Sequence, residues 1–277
     1  MSDGDAATAF APGHVTGFFS VERTESPERT GSRGAGVTLS AGVTTRVEPA
    51  EETRVRLNGR EVDVGSVVGV LDALDATAEV TAETPLPLGA GFGVSGAMAL
   101  GTALAANRAV DAGHSENDLV TVAHAAEVEA GTGLGDVVAQ ARGGVPIRVE
   151  PGAPAHGRLD GVPDAGRVEY VSFGGLSTSE VIGGDTAALS AAGEDALASL
   201  REHPTLPRFM RLSREFSREA SLPTATWRRP STRSRTRRRG GDGDARADGV
   251  RARHGPLRRG LRPRGVSGAP AGATLDP

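Results

Sequence analysis

Apolar and polar positions divide the chain into a strand-rich first part, a helical middle and a final stretch without any period. Residues 8–22 (TAFAPGHVTGFFSVE) read as a short strand, a Pro-Gly turn and a second apolar strand. Residues 35–49 are β-branched and roughly alternating, as a half-buried strand requires. Segments 53–57 and 61–64 flank Asn58-Gly59, a pair suited to the positive φ angles of a tight hairpin. A brief helix is expected over 67–74 and a strand over 76–83. A glycine-rich loop follows, then helices over 95–110 and 117–130, a helical turn over 136–141, and strands over 145–149 and 167–173. Helices over 185–200 and 206–219 complete the patterned part. Strands mostly precede helices with few βαβ alternations, which favours an α+β fold over a doubly wound sheet.

Beyond Leu222 the periodicity stops. The stretch beginning WRRPSTRSRTRRRGG has no Ile, Phe, Met or Tyr. It holds too little apolar surface to offset its ordering entropy, and disorder is expected there. Composition sharpens the same boundary. The 277 residues carry a formal net charge of −4, and all 31 basic residues are Arg, with no Lys and no Cys. From Pro223 onward there are 14 Arg against four acids (Asp242, Asp244, Asp248 and Asp276), a charge of +10, so residues 1–222 carry −14. An acidic body of this kind is kept hydrated by its surface carboxylates.

The missing residue types restrict the chemistry. Without Cys there is no disulfide framework, thiolate zinc site or cysteine nucleophile. Without Lys there is no P-loop signature, Schiff base or lysine general base. The acidic first residues lack the basic region and apolar core of a secretory signal, so cytoplasmic residence is expected. Residues 85–107 are uncharged, but the part free of Pro and clustered Gly, 95–106, spans only about 18 Å as a helix against a hydrocarbon core of about 30 Å. It reads as a buried helix behind a loop, and no membrane partner is expected.

That loop runs Pro85-Leu-Pro-Leu-Gly89-Ala-Gly91-Phe-Gly93-Val-Ser95-Gly96-Ala97. Glycines permit close backbone approach, and a helix start presents unpaired N–H groups at its positive dipole end, a natural seat for phosphate. Ser95 stands where it can cap the helix or place a hydroxyl on a phosphate or its metal. Taken alone, the segment fits a capped glycine turn equally well. Gly91-x-Gly93-x-x-Gly96 matches the dinucleotide fingerprint in form, but the following helix leads into another helix instead of a strand ending in an acid, which excludes a Rossmann unit. A second cluster, Glu127-Val-Glu129-Ala-Gly131-Thr-Gly133-Leu-Gly135-Asp136, delivers carboxylates into another glycine turn. Glu127 as a magnesium ligand and Asp136 as a base would suit phosphoryl transfer, whereas surface acids of an acidic protein are the plain alternative.

These two segments, together with Pro12-Gly13-His14-Val15-Thr16-Gly17-Phe18-Phe19, resemble the GHMP kinase superfamily, and within it the archaeal-type pantoate kinases. Ser32-Arg33-Gly34-Ala35-Gly36 and Leu176-Ser177-Thr178-Ser179 are also similar to that family. The resemblance covers roughly residues 8–222. It implies a two-domain fold, with a ribosomal-protein-S5-like N-terminal domain over 1–150 and an incomplete ferredoxin-like C-terminal domain over 151–222. It implies ATP and Mg2+, and phosphorylation of pantoate to 4-phosphopantoate on the way to coenzyme A, or, as the alternative, of another small hydroxy acid or alcohol. Gly89, Gly91, Gly93, Ser95 and Gly96 would hold ATP, and Ser95 and Glu127 the metal, with Glu129 competing. Asp136 would be the base. His14, Arg33 and Thr178 would contact substrate, Arg33 through a bidentate fork to a carboxylate. A homodimer agrees with the resemblance.

The family's third glycine-rich motif should follow residue 222, where the Arg/Pro/Ser/Gly run stands instead. Out-of-frame translation of a GC-rich gene gives such a composition, so a frameshift between 222 and 227, with an inactive product, is a further expectation. An Arg-rich arm also suits nucleic acid. Its one aromatic is Trp227 and its acidic body would repel the ligand, so nucleic acid is not expected as a partner.

Overall fold

A computed structural model describes residues 5–164, 166–171, 185–220, 250–253, 264–267 and 272–275. Two long antiparallel strands, β1 (Ala7–Glu22) and β2 (Gly31–Pro49), form the spine of the main sheet. β3 (Arg54–Leu57) and β4 (Arg60–Glu61) make the expected hairpin, with Asn58 and Gly59 at φ 50° and 76°. α1 (Gly65–Ala73) and β5 (Ala78–Glu83) follow, and β3 and β5 run parallel. Next come three helices, α2 (Val94–Ala109), α3 (Glu116–Glu129) and α4 (Asp136–Arg142). β6 (Val145–Glu150) pairs with the first part of β2 and with β7 (Arg158–Val162). β8 (Arg167–Val171), α5 (Ala187–Glu202) and α6 (Leu206–Glu219) come last before residue 220. The α+β order read from the sequence is the one observed.

The Pro-Gly turn expected near residue 12 is not a turn. β1 passes through Pro12-Gly13 as one strand, with a register shift between Pro12 and His14. β2 continues on both sides and supplies pairing partners across the break. The bulge frees the His14 N–H to donate to Phe92 O at 2.9 Å, which ties β1 to the glycine loop. Gly13 and Leu86 are in such close contact that a side chain at 13 would displace Leu86.

α2 is buried along nearly its whole length, with Ala97, Ala99, Leu100, Ala103 and Ala105 fully enclosed. A helix apolar all round belongs in a core, and α2 packs on β1, β2 and α3. Gly101 permits the closest approach, since a Cβ there would lie 2.7 Å from Thr45 Oγ1. Among the described residues, no helix is long and apolar enough to cross a membrane. α3 begins with a capping box, the Ser115 hydroxyl accepting from Asp118 N while the Asp118 carboxylate accepts from Ser115 N. α6 is held to β1 by tilted ring pairs, Phe18 with Phe209 and Phe19 with Phe216, at centroid distances of 5.9 and 5.8 Å.

Three short strands come from the segment in which no regular structure was expected. β9 (Val250–Arg253) and β10 (Arg264–Ser267) flank β8 in a second sheet, and β11 (Thr274–Leu275) pairs with Ala9 and Phe10 at the edge of β1. Pairing of this kind draws on backbone N–H and C=O groups, which every residue but Pro has, so side-chain composition does not register it.

Candidate active site

Gly89, Gly91 and Gly93 take φ angles of 63°, 76° and 61°, the left-handed region that only glycine occupies without strain. Gly93 is the N-cap of α2, and no side chain caps the helix. Its first-turn N–H groups are therefore left to a ligand or solvent, with the positive end of the dipole behind them. Ser95 does not cap. Its hydroxyl lies inside the first turn and donates to Glu127 Oε1.

Glu127 is delivered by the last turn of α3 and is almost wholly buried. Besides Ser95, Thr132 Oγ1 donates to its Oε1 at 2.9 Å, and Ser66 Oγ of α1 lies 3.4 Å from Ser95 Oγ. Burial raises the Glu127 pKa above its ordinary value; bonds from Ser95, Ser66 and Thr132 work the other way, and the charge on Asp136 adds to the rise. Glu129 is exposed, so of the two competing carboxylates only Glu127 faces the loop. The two carboxyl groups of the site flank Gly133. A Cβ there would collide with Glu127 Oε2 and lie 3.6 Å from Asp136 Oδ2.

Asp136 opens α4, directly after Gly135, and lies beneath the start of α2. Its Oδ1 accepts a hydrogen bond from His14 Nδ1 at 2.6 Å. Burial opposes the Asp136 charge, but the His14 bond and the nearby Arg148 guanidinium outweigh it and hold the carboxyl below the usual range. His14 is fully enclosed, and burial lowers its pKa despite the bond to Asp136. The pair is thus a neutral imidazole donating Nδ1–H to a carboxylate. His14 Nε2 has no hydrogen-bond partner among the described residues and lies against Gly36, where any Cβ would collide with it.

Arg148, on β6, is the residue that sequence reasoning missed. Its guanidinium is buried, Nε donates to Ser32 O at 3.3 Å, and Nη1 is buried without a hydrogen-bond partner among the described residues. Gly135 makes room for it, since a Cβ there would lie 2.7 Å from both Arg148 Nε and Ser32 Oγ. Its only sequence signal is an Arg set between Ile147 and Val149 in the apolar part of VPIRVE. His124 is also buried nearby, with Nε2 2.9 Å from Thr30 O.

The structure thus gathers Gly93, Ser95, Gly96, Glu127, His14 and Asp136 around the start of α2. Arg33 is not among them. Ser32 faces inward with its hydroxyl on Leu134 O, while Arg33, the next residue along the strand, pairs with Glu22 at 3.1 Å in a partly exposed position. Thr178 lies outside the described residues. A carboxylate and a hydroxyl are hard oxygen donors, and no group of three or more His, Cys, Asp or Glu converges among the described residues. Such a sparse set suits Mg2+, which keeps waters and substrate phosphates as its remaining ligands.

A glycine turn on a helix start, a buried Ser–Glu pair and an ionised Asp are the groups that small-molecule phosphoryl transfer would call on. Residues 64–144 match the model of the GHMP kinases N terminal domain. The chain belongs to the GHMP kinase family. Within it, the chain is 34% identical over 220 residues to a pantoate kinase of Methanocaldococcus jannaschii, covering 77% of this chain and 80% of that one. It is 38% identical over 232 residues to a pantoate kinase of Thermococcus kodakarensis, covering 77% of this chain and 76% of the other. A solved structure described as a phosphotransferase related to the CoA biosynthesis pathway superposes with a TM-score of 0.67 at 32% identity, covering 79% of this chain and 77% of that one.

Proposed function

We propose that the chain transfers the γ-phosphoryl group of ATP to the hydroxyl of pantoate, giving 4-phosphopantoate for coenzyme A synthesis. The observation that carries this reading is the buried Arg148, with an unpartnered Nη1, beside an ionised Asp136. A buried guanidinium calls for an anion, and an Asp at the start of α4, beside the phosphate loop, calls for a hydroxyl. A hydroxy acid supplies both. On this reading Arg148, rather than Arg33, whose guanidinium pairs with Glu22, takes the substrate carboxylate.

Gly89, Gly91 and Gly93 and the first N–H groups of α2 receive the ATP phosphates. Ser95 and Glu127 would hold Mg2+, which when bound offsets the charge on the transferring phosphates. The substrate oxygen attacks the γ-phosphorus, the bond to the β–γ bridging oxygen breaks, and the hydroxyl proton passes to Asp136. Oδ1 is engaged by His14, so Oδ2 is the accepting oxygen. His14 serves Asp136 and has no free nitrogen toward solvent. A cytoplasmic homodimer without nucleic-acid partners goes with this reading.

The test is ADP release by the purified chain with Mg2+ and ATP, in the presence and absence of pantoate. Turnover with mevalonate or homoserine but none with pantoate would move the acceptor elsewhere in the family. The break in composition after Leu222 supports a second reading, an inactive product of a gene out of frame beyond that point. Resequencing codons 215–235 decides it, and full turnover by the chain as written would end it.

A further inference from the structure

We infer that Gln140 is a positioning residue that sets the phosphate loop in register with the base-bearing helix; this rests on the reading of the site as a kinase. Gln140 stands one turn after Asp136 on α4 and is fully buried. Its Nε2 donates to Gly93 O at 2.7 Å, an acceptor that also takes the Ala97 N–H at 3.0 Å. The amide orientation is determined by that contact, because the flipped form would set oxygen against oxygen. Its Oε1 is buried without a hydrogen-bond partner among the described residues, and a Cβ at Gly96 would meet it at 3.0 Å.

Two features separate this contact from ordinary packing. A buried amide with one unsatisfied oxygen is costly, and an apolar side chain of equal length would fill the space without that cost. Moreover, the accepted carbonyl belongs to the Gly93–Val94 peptide. Peptide planarity fixes the Val94 N–H opposite the Gly93 carbonyl, so holding one aims the other. The Val94 N–H is among the unpaired donors at the start of α2. Asp136 and Gln140 lie four apart on one helix face, and both touch the space a Gly93 side chain would occupy, at 3.3 Å and 2.9 Å. One helix therefore carries the group that takes the substrate proton and the group that aims a phosphate-binding N–H. Displacing the loop relative to α4 would separate donor and acceptor groups of the reaction.

The experiment compares the full chain with Q140M and Q140E, neither of which can donate to Gly93 O as a neutral amide does. Binding of Mg2+ with ADP is measured by calorimetry, KM values for ATP and pantoate by steady-state kinetics, and folding by thermal midpoint. The expected result is nucleotide affinity and ATP KM weakened by roughly tenfold, the value of about one hydrogen bond, with pantoate KM within about twofold. Q140E should be affected more than Q140M, because its charge faces a carbonyl. Unchanged nucleotide affinity in either folded variant overturns the inference. So does a loss spread equally over both KM values together with a lowered thermal midpoint, which is what a purely structural residue would give. Failure of the unaltered chain to bind nucleotide would remove the kinase reading and this inference with it. Equal binding by all three proteins removes only the inference.

Discussion

His14 Nδ1 donates to Asp136 Oδ1 over 2.6 Å across 122 residues of sequence, while its other nitrogen is shut in against Gly36. The imidazole is thus a one-sided support. It fixes the direction of the carboxylate without competing for the proton that Asp136 would accept on the proposed reading, because burial keeps the ring neutral. Oδ1 of Asp136 is engaged, and Oδ2 is the oxygen that the proposed function gives to the substrate.

Removing the carboxylates should separate catalysis from stability. Asp136→Asn and Glu127→Gln are each expected to lower pantoate-dependent ADP release by at least about 10²-fold, as loss of a positioned base or metal ligand does. Glu127→Gln should leave the thermal midpoint nearly unchanged, since burial already disfavours the charge on that side chain. Near-normal rates would return both residues to ordinary acids.

Gly36→Ala tests the support from behind. The added methyl would collide with His14 Nε2 and approach Val15 O at 2.7 Å, so the ring must shift. A loss of about 1–3 kcal/mol in stability is expected from overpacking, with a fall in kcat larger than the change in either KM. Urea unfolding and steady-state kinetics read the two effects, and an intact kcat would show that Asp136 holds its direction without His14.

Arg148→Met should raise the pantoate KM by more than tenfold and leave ADP binding within about twofold. One charge-assisted bond to a carboxylate is worth roughly that much. An unchanged pantoate KM would return the substrate carboxylate to Arg33 or another group.

Acid should destabilise the fold before it protonates most carboxylates. Burial depresses both His14 and His124 below the ordinary 6.5. Between their folded values and about 6.5 the unfolded chain binds protons that the native state excludes, so stability is full above that range and is lost as pH falls through it. Glu127 acts in the opposite sense, its contribution being present at low pH and lost as pH rises through its raised value. Two histidines against one glutamate predict a urea midpoint lower at pH 5.5 than at pH 7.5, with a slope of up to about 1.4 kcal/mol per pH unit for each histidine. A flat or rising midpoint toward acid would contradict the buried neutral imidazoles.

Local features were legible in the sequence. Asn58-Gly59 marks its hairpin, and the helix over 95–110 appears as Val94–Ala109 because glycines and then an apolar run bound it. Glu127 and Asp136 could be named because glycine turns flank them. What escaped depends on partners distant in sequence. Arg158–Val162 is mostly exposed and is a strand only because β6 offers an edge. Arg148, Ser66 and Gln140 are residue types that composition assigns to the surface, and only the packing of β6, α1 and α4 brings them inside. Arg33 was named for the bidentate fork its guanidinium offers a carboxylate. Strand alternation turns Ser32 to the interior and Arg33 to Glu22.

The shift at Pro12 has a consequence for anyone aligning or redesigning this chain. Buried positions in β1 fall on odd numbers before it, at Ala9 and Ala11, whereas His14 follows it on an even number, and a second shift between Thr16 and Phe18 precedes Phe18 and Ser20. Two residues of β1 span four of β2 across the shift, from Pro12 opposite Gly42 to His14 opposite Thr38, so the surplus lies in β2 and the imidazole is the first paired side chain beyond it. Deleting one residue between Ala11 and His14 would not merely shorten a strand. It would rotate everything downstream to the wrong side, placing Val15, Thr16 and Phe19 where His14, Val15 and Phe18 now stand, so an alignment that closes a gap there silently exchanges core for solvent.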